Sequence, residues 1–430
     1  MSVRVGTTDR AITAFGGAEL LREAARVVGL AGELDDCLRV KKRARGLSDT
    51  EFVLGMAESV ALGASCLDDL AVTRADAAQA EVRGFEVPAP QTAGRWLRRF
   101  TLGHIRQLAK ATLRAQRNAF TAAGVEQVTL DFDSTYVFSR SRRRQGVDRT
   151  YKKGYALHPL LCFDAETGAA VHVRLRRGRA DASTGISSFV TEALRAVPEG
   201  VGVRARFDSG FYSGALFAQL ENAGVTYFCG APLSAPVVET ASQIADEYWV
   251  SCLDKDAEVA EFGYRLRDGG PFRRYIVKRI EIPPGKQASL WEGGYRYWIF
   301  VTNDHVTDAA VLEAQHRQKA EVETGMAELK SNFGLHAFRK HGFMANWAWL
   351  LVVCLGHNLC CWTQHLGALG GGRGDGELRA KRLRYRYLHV AAMLVHGGRR
   401  LTLRFPAGHP FLRRLVAALD RLRRLTTTRF

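Results

Sequence analysis

Between residues 128 and 230 the apolar pattern switches from period two to helical spacing and back, and that order leaves few folds open. Val128, Leu130 and Phe132 alternate with Thr129, Asp131 and Asp133, the period of a strand with one buried face. Residues 156–163 and 170–176 read as two more strands, parted by the turn Asp164-Ala165-Glu166-Thr167-Gly168. A helix over 183–197, a strand over 203–208, a helix over 213–223 and a strand over 225–229 follow. The order β-β-β-α-β-α-β predicts a meander of three antiparallel strands, then strands that enter through helices and run parallel.

Around this α/β block the chain changes character. Residues 1–120 are mostly helical by spacing, as in Leu20 to Leu30 and Phe52 to Leu70. Residues 233–303 are β-rich, with strand-like stretches at 257–266, 272–282 and 295–302 separated by Gly/Pro clusters. They interrupt the α/β pattern and read as an insertion. Helices are expected over 308–333 and 345–365, followed by a glycine-rich linker over 367–376. The expected organisation is a helical DNA-binding domain (1–120), a catalytic α/β domain (121–232 with 304–365), the β-rich insertion (233–303) and a basic helical C-terminal region (366–430).

The net charge of +17 on 430 residues favours a polyanionic partner, nucleic acid before an acidic membrane surface. From residue 373 onward fifteen Arg and Lys face three acids, which is +12 of that total. The most apolar run, Trp347 to Trp362, contains Gly356, His357 and Asn358. It reads as a buried helix, too short and too polar for a bilayer span. The eight cysteines show no Cys-x-x-Cys and no zinc spacing, so they are expected to be reduced residues of a cytoplasmic protein.

Two acids close strands of the α/β block. Asp133 ends the first, with Asp131 two residues earlier on the same face, and Asp208 ends the fourth. Ligands bind at the carboxyl ends of strands in open α/β sheets. The first and fourth strands are expected to be neighbours, and carboxylates brought that close need a cation between them. A third acid is expected from the helix over 308–333. At about 100° per residue, Glu323 shares an arc with His316, Lys319 and Lys330, beside an apolar stripe of Val322, Met326, Leu329 and Phe333 expected to pack on the sheet. Glu321 and Glu328 point away. Asp133, Asp208 and Glu323 together suit two Mg²⁺ ions, with Mn²⁺ able to substitute. His316, Lys319 and Lys330 would hold phosphates beside them.

Here the sequence resembles the DDE transposases of bacterial insertion sequences, in the branch with a β-rich insertion and a Tyr-x2-Arg-x3-Glu-x6-Lys signature. The frame reads His316-x2-Lys319-x3-Glu323-x6-Lys330, with His for Tyr and Lys for Arg. Further matching pieces are Leu130-Asp-Phe-Asp-Ser-Thr135, Gly154-Tyr155, Pro159-Leu160, Leu175-Arg176 with Gly178, and Asp208-Ser-Gly-Phe211. The resemblance covers residues 125–365. It implies a ribonuclease H-like fold, cut-and-paste cleavage and strand transfer, and a homodimer that synapses two element ends. It also implies a cytoplasmic, nucleoid-associated bacterial protein whose partners are terminal inverted repeats and target DNA.

Several basic or aromatic groups are candidates for DNA contact. Arg95, Arg98 and Arg99 follow Thr92, a credible N-cap, on a short helix anchored by Trp96 and Phe100. That helix reads equally well as half of a helix-turn-helix or as a solvated basic helix. Arg142, Arg143, Arg144, Lys152 and Lys153 lie in the loop after the first strand, suited to clamp a phosphate backbone. Related transposases stack a flipped base on an insertion aromatic. Trp291 and Trp298 are the candidates, with strand core as the plainer reading of Trp298. Two rival functions stay open at this point: another ribonuclease H-like endonuclease, and a non-catalytic DNA-binding derivative of a transposase.

Overall fold

The computed structural model describes residues 3–150, 152–254, 256–266, 270–282, 294–317, 320–336, 338, 340–370 and 379–427, without the side chains of 320–324. Contacts group the chain into two units: one of Met1–Gly124, Val137–Leu157 and Met326–Phe430, the other of Val125–Tyr136 and His158–Gly325. The second unit is built on one nine-stranded sheet. Its strands are β1 (Gln127–Ser134), β2 (Leu160–Asp164), β3 (Ala170–Arg174), β4 (Gly202–Phe207), β5 (Thr226–Gly230), β6 (Val250–Ser251), β7 (Ala257–Arg265), β8 (Phe272–Glu281) and β9 (Tyr295–Thr302).

The spatial order is β6-β7-β8-β9-β5-β4-β1-β2-β3. β1, β2 and β3 form the expected antiparallel meander, and β4 and β5 join parallel to β1 and to each other. This is the ribonuclease H-like arrangement. The β-rich insertion continues the same sheet, because β9 pairs antiparallel with β5 and β8, β7 and β6 follow in turn. Without β9, the N–H and C=O groups along that side of β5 would form an exposed edge.

Helices are numbered along the chain: α1 (Ala18–Val27), α2 (Leu30–Cys37), α3 (Asp49–Ala61), α4 (Leu70–Arg74), α5 (Ala77–Arg83), α6 (Pro90–Leu97), α7 (Leu102–Ala123), α8 (Ile186–Leu194), α9 (Gly214–Asn222), α10 (Ala235–Ser242), α11 (Ala309–Arg317), α12 (Ala320–Asn332), α13 (Phe343–Leu366), α14 (Ala380–Leu383) and α15 (Leu412–Thr427). Helix is described over Ala309–Arg317 and Ala320–Asn332, within the expected 308–333, and residues 318 and 319 lie outside the described set. The angular reckoning from His316 to Glu323 passes through these two residues. It holds inside α12, where Glu323 and Lys330 are seven residues, or two turns, apart.

The apolar stripe of α12 is also placed differently than expected. Met326, Leu329 and Phe333 are buried. Phe333, just past the helix end, meets the His357 ring of α13 edge-on at 4.9 Å. The start of α12 does approach the sheet, since a side-chain carbon at Gly325 would sit 3.8 Å from the Phe163 ring of β2.

α13 is longer than the sequence suggested and is apolar enough by length and composition to cross a membrane. Nearly all its residues are nonetheless buried in the first unit, where it packs on α3, α7 and α1. The segment after α13 is not simply helical. Ala392–Gly397 and Arg400–Arg404 form a hairpin that pairs with Ile12–Thr13. Its arginines are partly structural: Arg384 is buried and donates to the Val60, Ala61 and Asn332 carbonyls. Two of these belong to the C-terminal turn of α3, where the Val60 carbonyl also accepts the Gly63 N–H at 3.0 Å.

A second buried network centres on Glu58 of α3. Arg22 donates to both its oxygens at 3.0 Å, and Arg83 reaches Oε1 at 2.8 Å. Burial pushes this carboxyl up, but the two guanidinium groups outweigh burial and bring its pKa down to about 2. A carboxyl depressed on folding contributes stability that is present above its unfolded pKa near 4.5 and lost as pH falls toward 2. Glu58→Gln should leave Arg83 without its acid and Arg22 with Glu19 alone, and cost roughly 3–5 kcal/mol in a urea melt at pH 7. A loss below about 1 kcal/mol would show the network to be dispensable.

Candidate active site

The site is set by strand register. β1 and β4 run parallel with Asp131 opposite Arg206 and Phe132 opposite Phe207. The next pair in that register is Asp133 beside Asp208, at the carboxyl ends of neighbouring strands about 4.8 Å apart. Phe132 and Phe207 stack at 4.7 Å on the opposite face, where alternation puts the core. Each acid also fixes the chain that leaves its strand. Asp133 Oδ1 accepts the Ser134 N–H at 2.6 Å, and Asp208 Oδ1 accepts the Ser209 N–H at 2.7 Å.

The same register separates Asp131 from Asp133. Asp131 is 0% exposed, and Arg206 grips it with two bonds, Nε to Oδ1 at 2.5 Å and Nη2 to Oδ2 at 2.6 Å. Asp133 is half-buried and lines a cavity of about 860 Å³ together with Asp208. Of the two acids on this face, Asp131 is thus committed to the interior and Asp133 opens onto the cavity.

Arg206 ties the acid-bearing face to the next element. Its Nη1 donates to the Gln315 carbonyl near the end of α11 at 2.9 Å. His316 then lies flat on Phe300 of β9, ring to ring at 4.4 Å and 7°, and Leu312 enters the cluster of Phe228, Val259, Ile276 and Phe300. Phe163, which faces Gly325, is the cross-strand partner of Asp131. Residues 315 and 325 therefore both lie over the face that carries Asp131 and Asp133. Glu323 falls between them on α12, in the same unit, but its side chain is outside the described residues. Among the described residues no group of three or more acids, histidines or cysteines converges as a metal site.

The other expected contacts divide between the two units. His316 and Trp298 line the cavity with Asp133 and Asp208. Trp298 is 44% exposed, so it is not strand core, because the alternation of β9 turns Tyr297 and Ile299 inward instead. Lys278, its cross-strand partner, sits 5.1 Å over its ring. Burial disfavours the Lys278 ammonium, but ion pairs with Glu313 and Asp254, both at 3.0 Å, more than compensate and raise its pKa. Lys319 and Trp291 lie outside the described residues, and Lys330 is half-buried in the first unit.

Arg142, Arg143, Lys152 and Lys153 are exposed, and Arg144 is half-buried with Nη1 on Ser139 Oγ at 2.9 Å. The segment that carries them is a small three-stranded sheet, Val137–Phe138, Tyr155–Leu157 and Asp148–Arg149, in the first unit. Arg95, Arg98 and Arg99 are also exposed there. Thr92 is not the N-cap of their helix. α6 begins at Pro90 after Ala89, since proline's fixed φ suits the first helical position. The anchors are as expected: Trp96 stacks on Phe52 at 5.0 Å and meets Phe100 edge-on at 4.8 Å.

Two groups beside the site had not been singled out from the sequence. His158 shares Nε2 with Ser134 Oγ at 3.0 Å, contacts the Ala180 carbonyl through Nδ1 at 2.7 Å, and stacks on Tyr136 at 4.0 Å. A histidine between a strand end and a turn carries no sequence signature of its own. Arg206 did carry one, since it precedes Asp208 by the same two residues that separate Asp131 from Asp133.

The sheet has the ribonuclease H-like order, with Asp133 and Asp208 at the ends of two adjacent parallel strands. The chain belongs to the family described as transposase DDE domain group 1, which matches residues 1–427. It is accordingly a DNA transposase, an enzyme that cleaves DNA, of a family that works with divalent metal ions. The resolvase-like and non-catalytic readings are set aside. No curated protein sequence matches the chain. Among solved structures it is similar to a piggyBac transposase in a synaptic complex with hairpin DNA. That similarity has 12% identity and a TM-score of 0.44, over 86% of this chain and 78% of the other.

Proposed function

We propose that this transposase cuts and joins DNA at the ends of its element by a cut-and-paste route, with Asp133, Asp208 and Glu323 as the ligands of two Mg²⁺ ions. One observation carries the reading: the register that sets Asp133 beside Asp208 while Arg206 holds Asp131 in the interior. The donor set fits such ions. Two carboxylates at neighbouring strand ends offer hard oxygen ligands, and Glu323 would supply the third from α12. When bound, the pair of ions would lower the pKa of an attacking water or 3′-hydroxyl and stabilise the leaving oxygen.

The protein's own groups would then position the DNA. His316 is held flat against Phe300, and Lys278 is kept charged by its acids, at the wall of the same cavity. Trp298 offers an exposed ring at the rim, where a flipped base could stack. Lys319 and Lys330 would supply phosphate contacts, as would Arg142, Arg143, Arg144, Lys152 and Lys153. Arg95, Arg98 and Arg99 of the first unit would engage the duplex as well. The working form would be a homodimer holding two terminal inverted repeats and the target, in the cytoplasm at the nucleoid.

The test is a cleavage and joining assay with the element's own ends. With Mg²⁺ or Mn²⁺, full-length protein should nick at the end and join the 3′-hydroxyl to a target plasmid, whereas Ca²⁺ or chelator should stop both steps. Nicking without any joined product would leave a nuclease and overturn strand transfer.

A further inference from the structure

The first unit has an open groove of about 820 Å³ between the α2–α3 connection and helices α6 and α7. Lys41, Lys42, Arg43, Arg45, Arg95 and Arg99 line it, and no acid does. Four of these cations come from a five-residue stretch, Lys41-Lys42-Arg43-Ala44-Arg45. Lys42, Arg43 and Arg45 are exposed, as are Arg95 and Arg99 across the groove.

The loop is held as a built surface. Asp49 accepts the Val40 and Lys41 N–H groups at 2.8 and 3.0 Å through Oδ2. Its Oδ1 accepts the Trp96 indole N–H of α6 at 2.7 Å. One carboxylate thus ties both walls together. Lys41 folds back onto the Arg45 and Leu47 carbonyls, and a Ser48–Glu51 capping box fixes where α3 begins. The remaining loop cations are presented on an ordered turn, so less entropy is lost when they bind.

The aromatic floor decides which polyanion fits. A single-strand groove offers bases exposed rings to stack on. Here Phe52 and Trp96 are 6% and 2% exposed and are stacked on each other, so neither face is free for a base. The lining also lacks the Asn and Gln amides that read adenine edges. The third ring in the lining, His104, is half-buried, meets Phe100 edge-on at 5.9 Å and accepts the Thr101 N–H at the start of α7, so it is committed to the fold. The cations then dominate, the chemistry of backbone contact. We infer that the 38–48 loop and α6 form a clamp for the phosphate backbone of double-stranded DNA, independent of sequence and separate from the cavity at Asp133 and Asp208. The clamp rests on the reading of this chain as a transposase that must hold DNA while it cuts.

The experiment is a salt titration of DNA binding by full-length protein, followed by fluorescence anisotropy without divalent metal. Probes are an element-end duplex, a duplex of unrelated sequence and a single strand of the same length. Each backbone contact steepens the fall of log K with log salt by about 0.9. The triple variant Lys42→Gln, Arg43→Gln, Arg45→Gln should bind both duplexes at least about tenfold more weakly near 0.1 M salt, with a slope shallower by about 3. Arg43→Lys with Arg45→Lys should keep the slope. If the triple variant melts early, Arg95→Gln with Arg99→Gln reads the opposite wall, and its slope should be shallower by about 2. An unchanged slope in both sets, a loss confined to the single strand, or a loss confined to the element end would each overturn the clamp. Wild-type cleavage with Mg²⁺, run in parallel, separates the two ideas. A chain that never cleaves yet shows the slope change refutes the catalytic reading and keeps the clamp.

Discussion

Asp208→Asn should abolish strand cleavage while leaving the protein folded and able to bind DNA. The substitution keeps side-chain size and an oxygen for the Ser209 N–H, which Asp208 accepts at 2.7 Å, so the turn Ser209–Phe211 keeps its cap. It removes the negative charge that a hard divalent ion needs at that strand end. Asp208 is exposed, so its loss should move the unfolding midpoint by no more than about 0.5 kcal/mol. The loss in cleavage should be roughly a thousandfold or more, about 4 kcal/mol of transition-state stabilisation. Asp133→Asn and Glu323→Gln should behave alike, and the three losses should not add, because the ligands act as one unit. A variant that binds ends normally and still cleaves within about tenfold of wild type would remove that residue from the metal-binding set. Glu323→Gln matters most here, since it tests the third position by function.

How much of this was legible in the sequence follows from the range of the signal. Period-two alternation marked β1 and β3, and turn residues marked the meander, because both are local consequences of backbone geometry. The acids at the ends of β1 and β4 could be placed as neighbours because a β-β-β-α-β chain has few ways to return to its sheet. What was missed depends on long-range packing. Nothing local shows that 233–303 prolongs the sheet from β5, since an insertion strand and an edge strand have the same composition. Phe333 pairs with His357, not the sheet, through a contact that bridges 24 residues. The basic stretch 41–45 was not singled out from the sequence. Its character as a groove comes from Asp49 and Trp96, which only folding brings together.

Asp131→Asn and Asp133→Asn, two residues apart on one strand face, should fail in opposite ways. Asp131 and Arg206 are almost wholly buried, at 0% and 3% exposure, in a two-point ion pair. An amide in place of Asp131 strands the guanidinium in the interior, and breaking a buried pair in this manner costs roughly 3–5 kcal/mol. It also loosens a bridge, because the same guanidinium holds the Gln315 carbonyl at 2.9 Å and with it the end of α11. The melting temperature should fall by on the order of 10 °C, with any loss of cleavage following the loss of folded protein. Asp133→Asn should melt within a degree or two of wild type and yet be inactive, since its partner in register is Asp208 at the cavity. Calorimetry beside the cleavage assay separates the two patterns. If Asp131→Asn instead melted normally and lost cleavage, while Asp133→Asn stayed active, the first metal ligand would move to Asp131. Arg206 would then be a charge that tunes that ligand, and no longer the clasp that keeps it out of the chemistry.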